Sequence, residues 1–484
     1  MTIRDSIIKK FNSGELAFKD ERKIFAALNL HPAEKKAVKK ILNDLEKEGI
    51  IMEDDRGGYA TPAQLGAFTA IVQGNERGFA FLIPEEKGDG PKDYFVPRRS
   101  LKGAMNRDRV LAIHKRGTED EAFVVKILQR GQTTVVGTFQ KDKRAGYVIP
   151  DDRHFDSDIF IPLSLCGNAK IGDKVVAEIT SYPQDKMVGG KIVEILGESG
   201  DFYTEELSII RGYNLNEEFP SQVEKQAENV AKEKIVLDGR KDLRDILTIT
   251  IDGDDTRDID DAVSLEKSGE NFILGVHIAD VSHYVKYGDK IDREAYDRGT
   301  SVYFPDRVLP MLPKALSNGA CSLNEGEDRY AMSAFITFDK NGNKLKSQIC
   351  ESVICSNHRM TYNVVTAILE GDGELNKQYA DIAPMLYDMQ ELCLLLEEKR
   401  KAAGSVNLDV KEAHIYIDEQ GEIVIPDYDR SISHRMIEQF MVSANEAVAE
   451  FAAKAQAPFL YRIHEKPSPE KAATFFSFLR DLGI

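Results

Sequence analysis

The stretch TIDGDDTRDIDDA, residues 250–262, concentrates one kind of chemistry. Six aspartates fall within the ten positions from Asp252 to Asp261, and Arg257 is the one cation among them. Carboxylates at this density repel one another, and packing gives no reason to gather them. Oxygen-only donors select hard cations, Mg2+ or Mn2+, over softer metals. Two such ions about 3.5–4 Å apart can activate a water and stabilise the leaving oxygen of a phosphodiester displacement. An EF-hand is excluded: counted from Asp252, position 6 is Arg257 where that loop needs glycine, and position 12 is Val263 where it needs glutamate. The competing reading is an inert, solvated acidic loop.

The flanks argue against inertness. DILTIT before the cluster is a β-branched strand, and DAVSLEK and NFILGVHIADVSHYV after it read as further strands. The aspartates therefore sit in a loop held by a sheet, with Gly253 expected to ease a turn. If residues 258–260 are extended, Asp258 and Asp260 point to one side. Asp261 points the other way unless the backbone bends. A bent loop brings Asp252, Asp258, Asp260 and Asp261 around one point. His277, Asp280 and His283 follow at a spacing that suits no common transition-metal motif on a strand, so structural roles are expected of them.

The 484 residues, 42% of them hydrophobic, are ample for buried cores and suggest roughly three or four domains. No apolar run approaches the ~20 residues of a membrane span, and the N-terminus lacks the pattern of a signal peptide. The five cysteines, Cys166, Cys321, Cys350, Cys355 and Cys393, include no CxxC pair, which argues for small buried thiols kept reduced in a cytoplasm. A formal charge of −17 argues on its own against nucleic-acid binding, but a basic channel can lie within an acidic shell.

Five segments are predicted. Residues 1–65 carry an apolar helix face, Val38, Ile41, Leu42 and Leu45, followed by a hairpin turning at Arg56-Gly57-Gly58, which suggests a winged helix. Residues 66–130 and 131–198 are a degenerate repeat of short strands. Each copy has a glycine-aromatic unit, then a polar loop, then an aromatic-aliphatic-proline strand. Phe79, Phe81 and Phe95 in the first copy, and Tyr147 and Phe160 in the second, suit five-stranded barrels that stack bases, with core packing as the alternative for each ring. Arg98 and Arg99 open a basic stretch suited to phosphate contact. Residues 199–243 read as a charged connector. Residues 244–484 read as one α+β domain that stops within an apparent helix.

TIDGDDTRDIDDA, GVHIADVSHYV, YFPDRVLPMLPKALSNGACSLNEGEDRYAMS and FLYRIHEKPSPEK resemble the successive signatures of the ribonuclease II/ribonuclease R family. The order of winged helix, two cold-shock barrels and catalytic domain resembles its bacterial ribonuclease R branch. The resemblance implies a processive 3′-to-5′ exoribonuclease that releases nucleoside 5′-monophosphates and uses Mg2+, with Mn2+ as a substitute; the thiols point to the cytoplasm, and a threading enzyme works as a monomer without a partner subunit. The resemblance also implies single-stranded RNA, or structured RNA with a 3′ overhang, as partner; ribosome and RNA-decay partners stay open. Matched onto this sequence, the metal-serving residues are Asp252, Asp258, Asp260 and Asp261, with Asp260 the most activity-critical. Tyr303 matches the tyrosine that clamps the 3′-terminal bases. Leu408, within GSVNLDV, stands where the family has an aromatic. The family's catalytic domain continues into an arginine-bearing motif and a C-terminal OB-type domain. On this resemblance the chain is expected to be a catalytic domain cut short, with a catalytically incomplete RNA-binding fragment as the alternative reading.

Overall fold

The computed structural model describes residues 3–54, 56–86, 93–115, 117–182, 187–406, 415–418, 423–425, 430–463 and 465–483. It divides into two compact units, Met1–Leu215 and Asn216–Ile484.

The first unit begins with helices Ile3–Asn12, Glu21–Ala27 and Pro32–Lys47, then strands Met52–Glu53 and Tyr59–Ala60. Val38, Leu42 and Leu45 are buried on the third helix, as its periodicity requires, and pack with Ile7, Phe11, Leu16, Ile24 and Ile51. The hairpin pairs Met52 with Ala60, and Asp54 closes its turn by accepting from the backbone N–H groups of Arg56 and Gly58. Lys19 forms an isolated antiparallel bridge to Tyr59 at the edge of this two-stranded hairpin, giving three helices and a wing, the arrangement of a winged helix.

Two five-stranded β structures follow. In the first the order is Tyr94–Val96, Ala80–Pro84, Phe68–Gly74, Arg109–His114, Ala122–Gln129. It is an open sheet in which a parallel bridge from Phe95 to Glu121 spans the gap. The second is a closed barrel: Ile159–Ile161, Gly189–Glu198, Asp173–Ser181, Thr134–Lys141, Gly146–Pro150. The repeat is genuine, but its register differs from the glycine-based match. Phe160 pairs with Tyr147 as Phe95 pairs with Phe81, so Tyr147 corresponds in space to Phe81 and not to Phe79.

A hydrogen-bonded joint connects the two β structures. The buried Asn106 side chain accepts from Gly74 N–H at 3.1 Å and donates to Asp152 at 3.3 Å. Buried Asp108 accepts from Arg130 at 2.6 Å and from Gly131 N–H at 2.9 Å. A Cβ on Gly131 would lie 1.9 Å from the Arg107 carbonyl oxygen, and one on Gly74 2.6 Å from that of His154.

The segment expected as a connector is divided between the units. Helix Phe202–Gly212 lies in the first unit, and helix Ser221–Ala231 lies in the second.

The second unit is built on a seven-stranded mixed sheet in the order Lys241–Asp242, Lys344–Cys355, Asp328–Phe338, Asn271–Ala279, Asp261–Ser268, Ile249–Asp252, His358–Thr361. Alternation along these strands buries Ile249, Ile251, Val263, Leu274, Val276 and Ile336 in a core shared with helices Tyr362–Leu369, Ala383–Ala402 and Ile432–Ala455. The tail of the expected second strand differs: Asp280 caps a short helix, Val281–Tyr284, because its side chain accepts from His283 N–H and ends the extended run. The last helix, Pro469–Asp481, ends within the described residues and buries none of its side chains. Cys166, Cys321 and Cys393 are buried, Cys350 and Cys355 are half-buried, and all five are free. No helix among the described residues is long and apolar enough to cross a membrane.

Candidate active site

Asp252 ends one strand and Asp261 begins its antiparallel neighbour, so the sheet sets both ends of the acidic loop. Between them Ile259 is buried while Asp260 is exposed and Asp258 half-exposed. That is the alternation expected of an extended 258–260 segment, with both carboxylates turned away from the core. Ile259 is held on both backbone groups. Its N–H donates to Ser322 Oγ at 3.1 Å, and its carbonyl accepts from Leu323 N–H at 2.9 Å. Asp260 accepts from Ala279 N–H through its backbone carbonyl at 2.9 Å.

Gly253 has no left-handed backbone, so the turn does not need it for that reason. A Cβ there would lie 3.1 Å from Thr256 Oγ1. That hydroxyl donates to Asp252 Oδ1 at 3.0 Å, and Gly253 N–H donates to the same oxygen at 2.7 Å. Arg359 donates to the Thr256 carbonyl, so its cation is spent on backbone and not on a carboxylate. Asp254 and Asp255 are both exposed, and Asp254 accepts from Asn363 at 3.0 Å.

The carboxylates share one electrostatic field. Burial, then the charges of Asp252 and Asp260, push the Asp261 carboxyl up to about 6. Protein around the open Asp260 side chain, then Asp258 and Asp252, raise the Asp260 carboxyl as well. Among the described residues, no basic side chain forms an ion pair with either carboxylate. The donor set is thus all hard oxygen and carries uncompensated charge, which fits a divalent cation such as Mg2+. As they stand, the side chains are spaced apart: among the described residues, no three His, Cys, Asp or Glu side chains are drawn together closely enough to hold a metal. Tyr303 borders the same field. Its ring is 68% exposed, and its hydroxyl donates to Asp258 Oδ2 at 3.5 Å.

The histidines behind the loop are structural. His277 is fully buried between Ser333 Oγ at 2.7 Å and Ser264 Oγ at 3.0 Å. Burial pushes its imidazole down to about 4, so it is neutral. Its stabilising effect is complete above the unfolded value of about 6.5 and is lost as pH falls toward 4. His277→Gln should flatten the acid limb of a melting-temperature profile over that range; an unchanged limb would assign it to other groups. His283 packs against Tyr330 with ring centroids 3.9 Å apart and the planes tilted by 36°, and Asp280 pairs with Arg240 at 2.6 Å.

In the first unit, Phe79, Phe81 and Phe95 form one cluster with centroids 5.5–6.0 Å apart. Tyr147 and Phe160 face each other at 6.1 Å. Phe81 and Phe160 are exposed and the other three half-buried, so none is core. Arg98 is paired with Asp156 at 2.9 Å yet stays largely exposed, and Arg99 is exposed. Leu408 lies outside the described residues. Sequence reasoning missed Ser322 and Arg359, which grip the loop from more than sixty and one hundred residues away. The ACSLNEG segment containing Ser322 was noticeable; its contact was not.

One unit thus carries an open five-stranded sheet and a closed five-stranded barrel, and the other carries an acidic loop set between two strands of a mixed sheet. Residues 240–484 match the RNB domain, 147–220 a cold shock domain and 70–127 the ribonuclease B OB domain. The chain belongs to the RNB-domain family of ribonucleases. It is 39% identical over 467 residues to ribonuclease R of Thermotoga maritima, an alignment covering 93% of this chain and 64% of that protein. Among solved structures, it resembles Mycoplasma genitalium RNase R in complex with ribose-methylated single-stranded RNA (TM-score 0.74, 26% identity, 86% of this chain and 66% of that one). The complex of the same protein with double-stranded RNA is also similar (TM-score 0.66, 27% identity, 79% and 66%). The chain spans slightly less than two thirds of these relatives' length.

Proposed function

We propose that this chain carries the catalytic centre of a metal-dependent 3′-to-5′ exoribonuclease acting on single-stranded RNA and on structured RNA with a 3′ overhang. One observation carries the reading: Asp252, Asp258, Asp260 and Asp261 share an uncompensated field beside the exposed ring of Tyr303. The RNA complexes of the relative support the substrate class.

Asp252, Asp258, Asp260 and Asp261 would hold Mg2+, with Mn2+ as a substitute. Bound there, the metal would supply water activation and charge stabilisation at the scissile phosphate. Tyr303 presents its face to a 3′-terminal base while its hydroxyl stays tied to Asp258. Phe79, Phe81, Phe95, Tyr147 and Phe160 offer stacking faces to upstream bases, and Arg98 and Arg99 offer charge to phosphates. Hydrolysis forms a bond from a water oxygen to phosphorus and breaks the bond from phosphorus to the penultimate 3′ oxygen. The released nucleotide therefore keeps a 5′ phosphate. The reading is of a monomer working in the cytoplasm, with residues 1–65, 66–130, 131–198 and 244–484 as its functional divisions.

Tyr303→Ala should weaken binding of a short 3′-hydroxyl RNA by ~1–3 kcal/mol, the scale of one stacked base. Tyr303→Phe should retain most of it. Equal affinities by fluorescence anisotropy would remove Tyr303 from the RNA path.

A second reading, RNA binding without cutting, is favoured by the spacing of the four carboxylates as they stand. RNA with a 3′ overhang and a 5′ label, incubated with Mg2+ and run on native and denaturing gels, separates the two. Stepwise shortening to a small labelled remnant supports the exonuclease. A shifted but uncut band supports the binding protein.

A further inference from the structure

From the hydrogen bonds around Ile259, we infer that Ser322 is a positioning residue: its neutral hydroxyl clamps the backbone between Asp258 and Asp260 so that both carboxylates stay aimed outward for a divalent cation. The inference rests on the metal reading above. Ser322 is fully buried. Its Oγ accepts from Ile259 N–H at 3.1 Å and donates toward the Arg257 carbonyl at 2.9 Å, with Asn324 Oδ1 as the longer alternative at 3.2 Å. One hydroxyl therefore touches the backbone on both sides of Asp258. Leu323 N–H adds the bond to the Ile259 carbonyl, so two consecutive residues grip the loop as a short strand would.

The grip is itself braced. Arg329 Nε donates to the Ser322 carbonyl at 2.7 Å, and the same guanidinium reaches the Gly319 and Asp328 carbonyls at 3.2 and 2.9 Å. The chemistry of the clamp matters as much as its position. Six aspartates in ten positions push the loop open. A lysine or arginine paired directly with these carboxylates, in addition to the exposed Arg257, would hold the loop together, but it would also cancel the field that attracts a cation. A hydroxyl holds backbone to backbone and leaves the negative charge intact. The bracing cation, Arg329, acts on the loop only through Ser322; it is directed at carbonyls and at the Glu327 carboxylate, not at the aspartates. Partners behind metal ligands commonly alter metal affinity about 10–100-fold when removed.

The test is Mn2+ binding to the full chain, read by electron paramagnetic resonance of the free ion, for the unaltered protein, Ser322→Ala and the near-isosteric Ser322→Cys. Ser352→Ala serves as control, since Ser352 is an equally buried hydroxyl, bonded to Ser333 and the Ala331 carbonyl of the same sheet. The expected result is a dissociation constant raised about 10–100-fold in Ser322→Ala and by a smaller factor in Ser322→Cys. Ser352→Ala should match the unaltered chain even where its melting temperature falls. If Ser322→Ala does not fold, Ser322→Cys decides alone. Unchanged Mn2+ affinity in the folded Ser322 variants overturns the inference and leaves the metal reading standing. Failure of the unaltered chain to bind Mn2+ overturns both.

Discussion

Asp260→Asn should lose RNA cleavage by roughly 10³-fold or more while RNA affinity is kept. The substitution preserves shape and removes one charge from the centre of the shared field. Asp260 adjoins the buried, doubly tied Ile259, and Asp261 responds to its charge. The same change should raise the melting temperature slightly, because Asp261 and its neighbours then repel less. Activity lost together with stability gained separates removal of a functional charge from damage to the fold. Cleavage of a 5′-labelled RNA within threefold of the unaltered rate would show that the acidic loop does not serve the reaction.

Divalent metal should stabilise the chain, and the stabilisation should grow with pH. The Asp261 carboxyl lies near 6 in the folded chain, above its ordinary value. A carboxyl raised in this way favours the folded state fully below the unfolded value of about 3.9, and that contribution disappears as pH rises through 6. At pH 7.5 the metal-free chain therefore carries a penalty on the order of 2 kcal/mol, reduced by partial exposure. Mg2+ relieves that penalty, and it has less to relieve at pH 5. His277 slopes the other way between about 4 and 6.5. The difference between melting temperatures in Mg2+ and in EDTA, taken at each pH, cancels that slope and isolates the carboxylates. Parallel Mg2+ and EDTA curves from pH 5 to 8 would count against the metal reading.

Much of this was legible because it is local. The helix face of Val38, Leu42 and Leu45 follows from spacing, and the outward turn of Asp258 and Asp260 follows from strand alternation around Ile259. The acidic loop stands out because no packing argument accounts for it. The illegible parts are non-local. Nothing in the neighbourhood of residue 259 announces a serine at 322. The offset between Phe79 and Tyr147 arises because Gly78 lies in the hairpin turn two residues before Ala80, whereas Gly146 itself takes the place of Ala80: Gly74 pairs with Ala80, and Lys141 pairs with Gly146. Counting from the glycine therefore misplaces the ring by two positions. The short helix after Ala279 depends on Asp280 capping it, a competition that the run of β-branched residues conceals.

The joint at Asn106 has a mechanical consequence. A slack tether would let each β structure swivel and would transmit no torque. Here the side chain of Asn106 spans from Gly74 to Asp152, and backbone presses on backbone at Gly131 and at Gly74. Load placed on one set of aromatic rings passes through that contact to the other set. The phase between the two ring clusters is thereby set by the protein, like the spacing of two teeth on one gear.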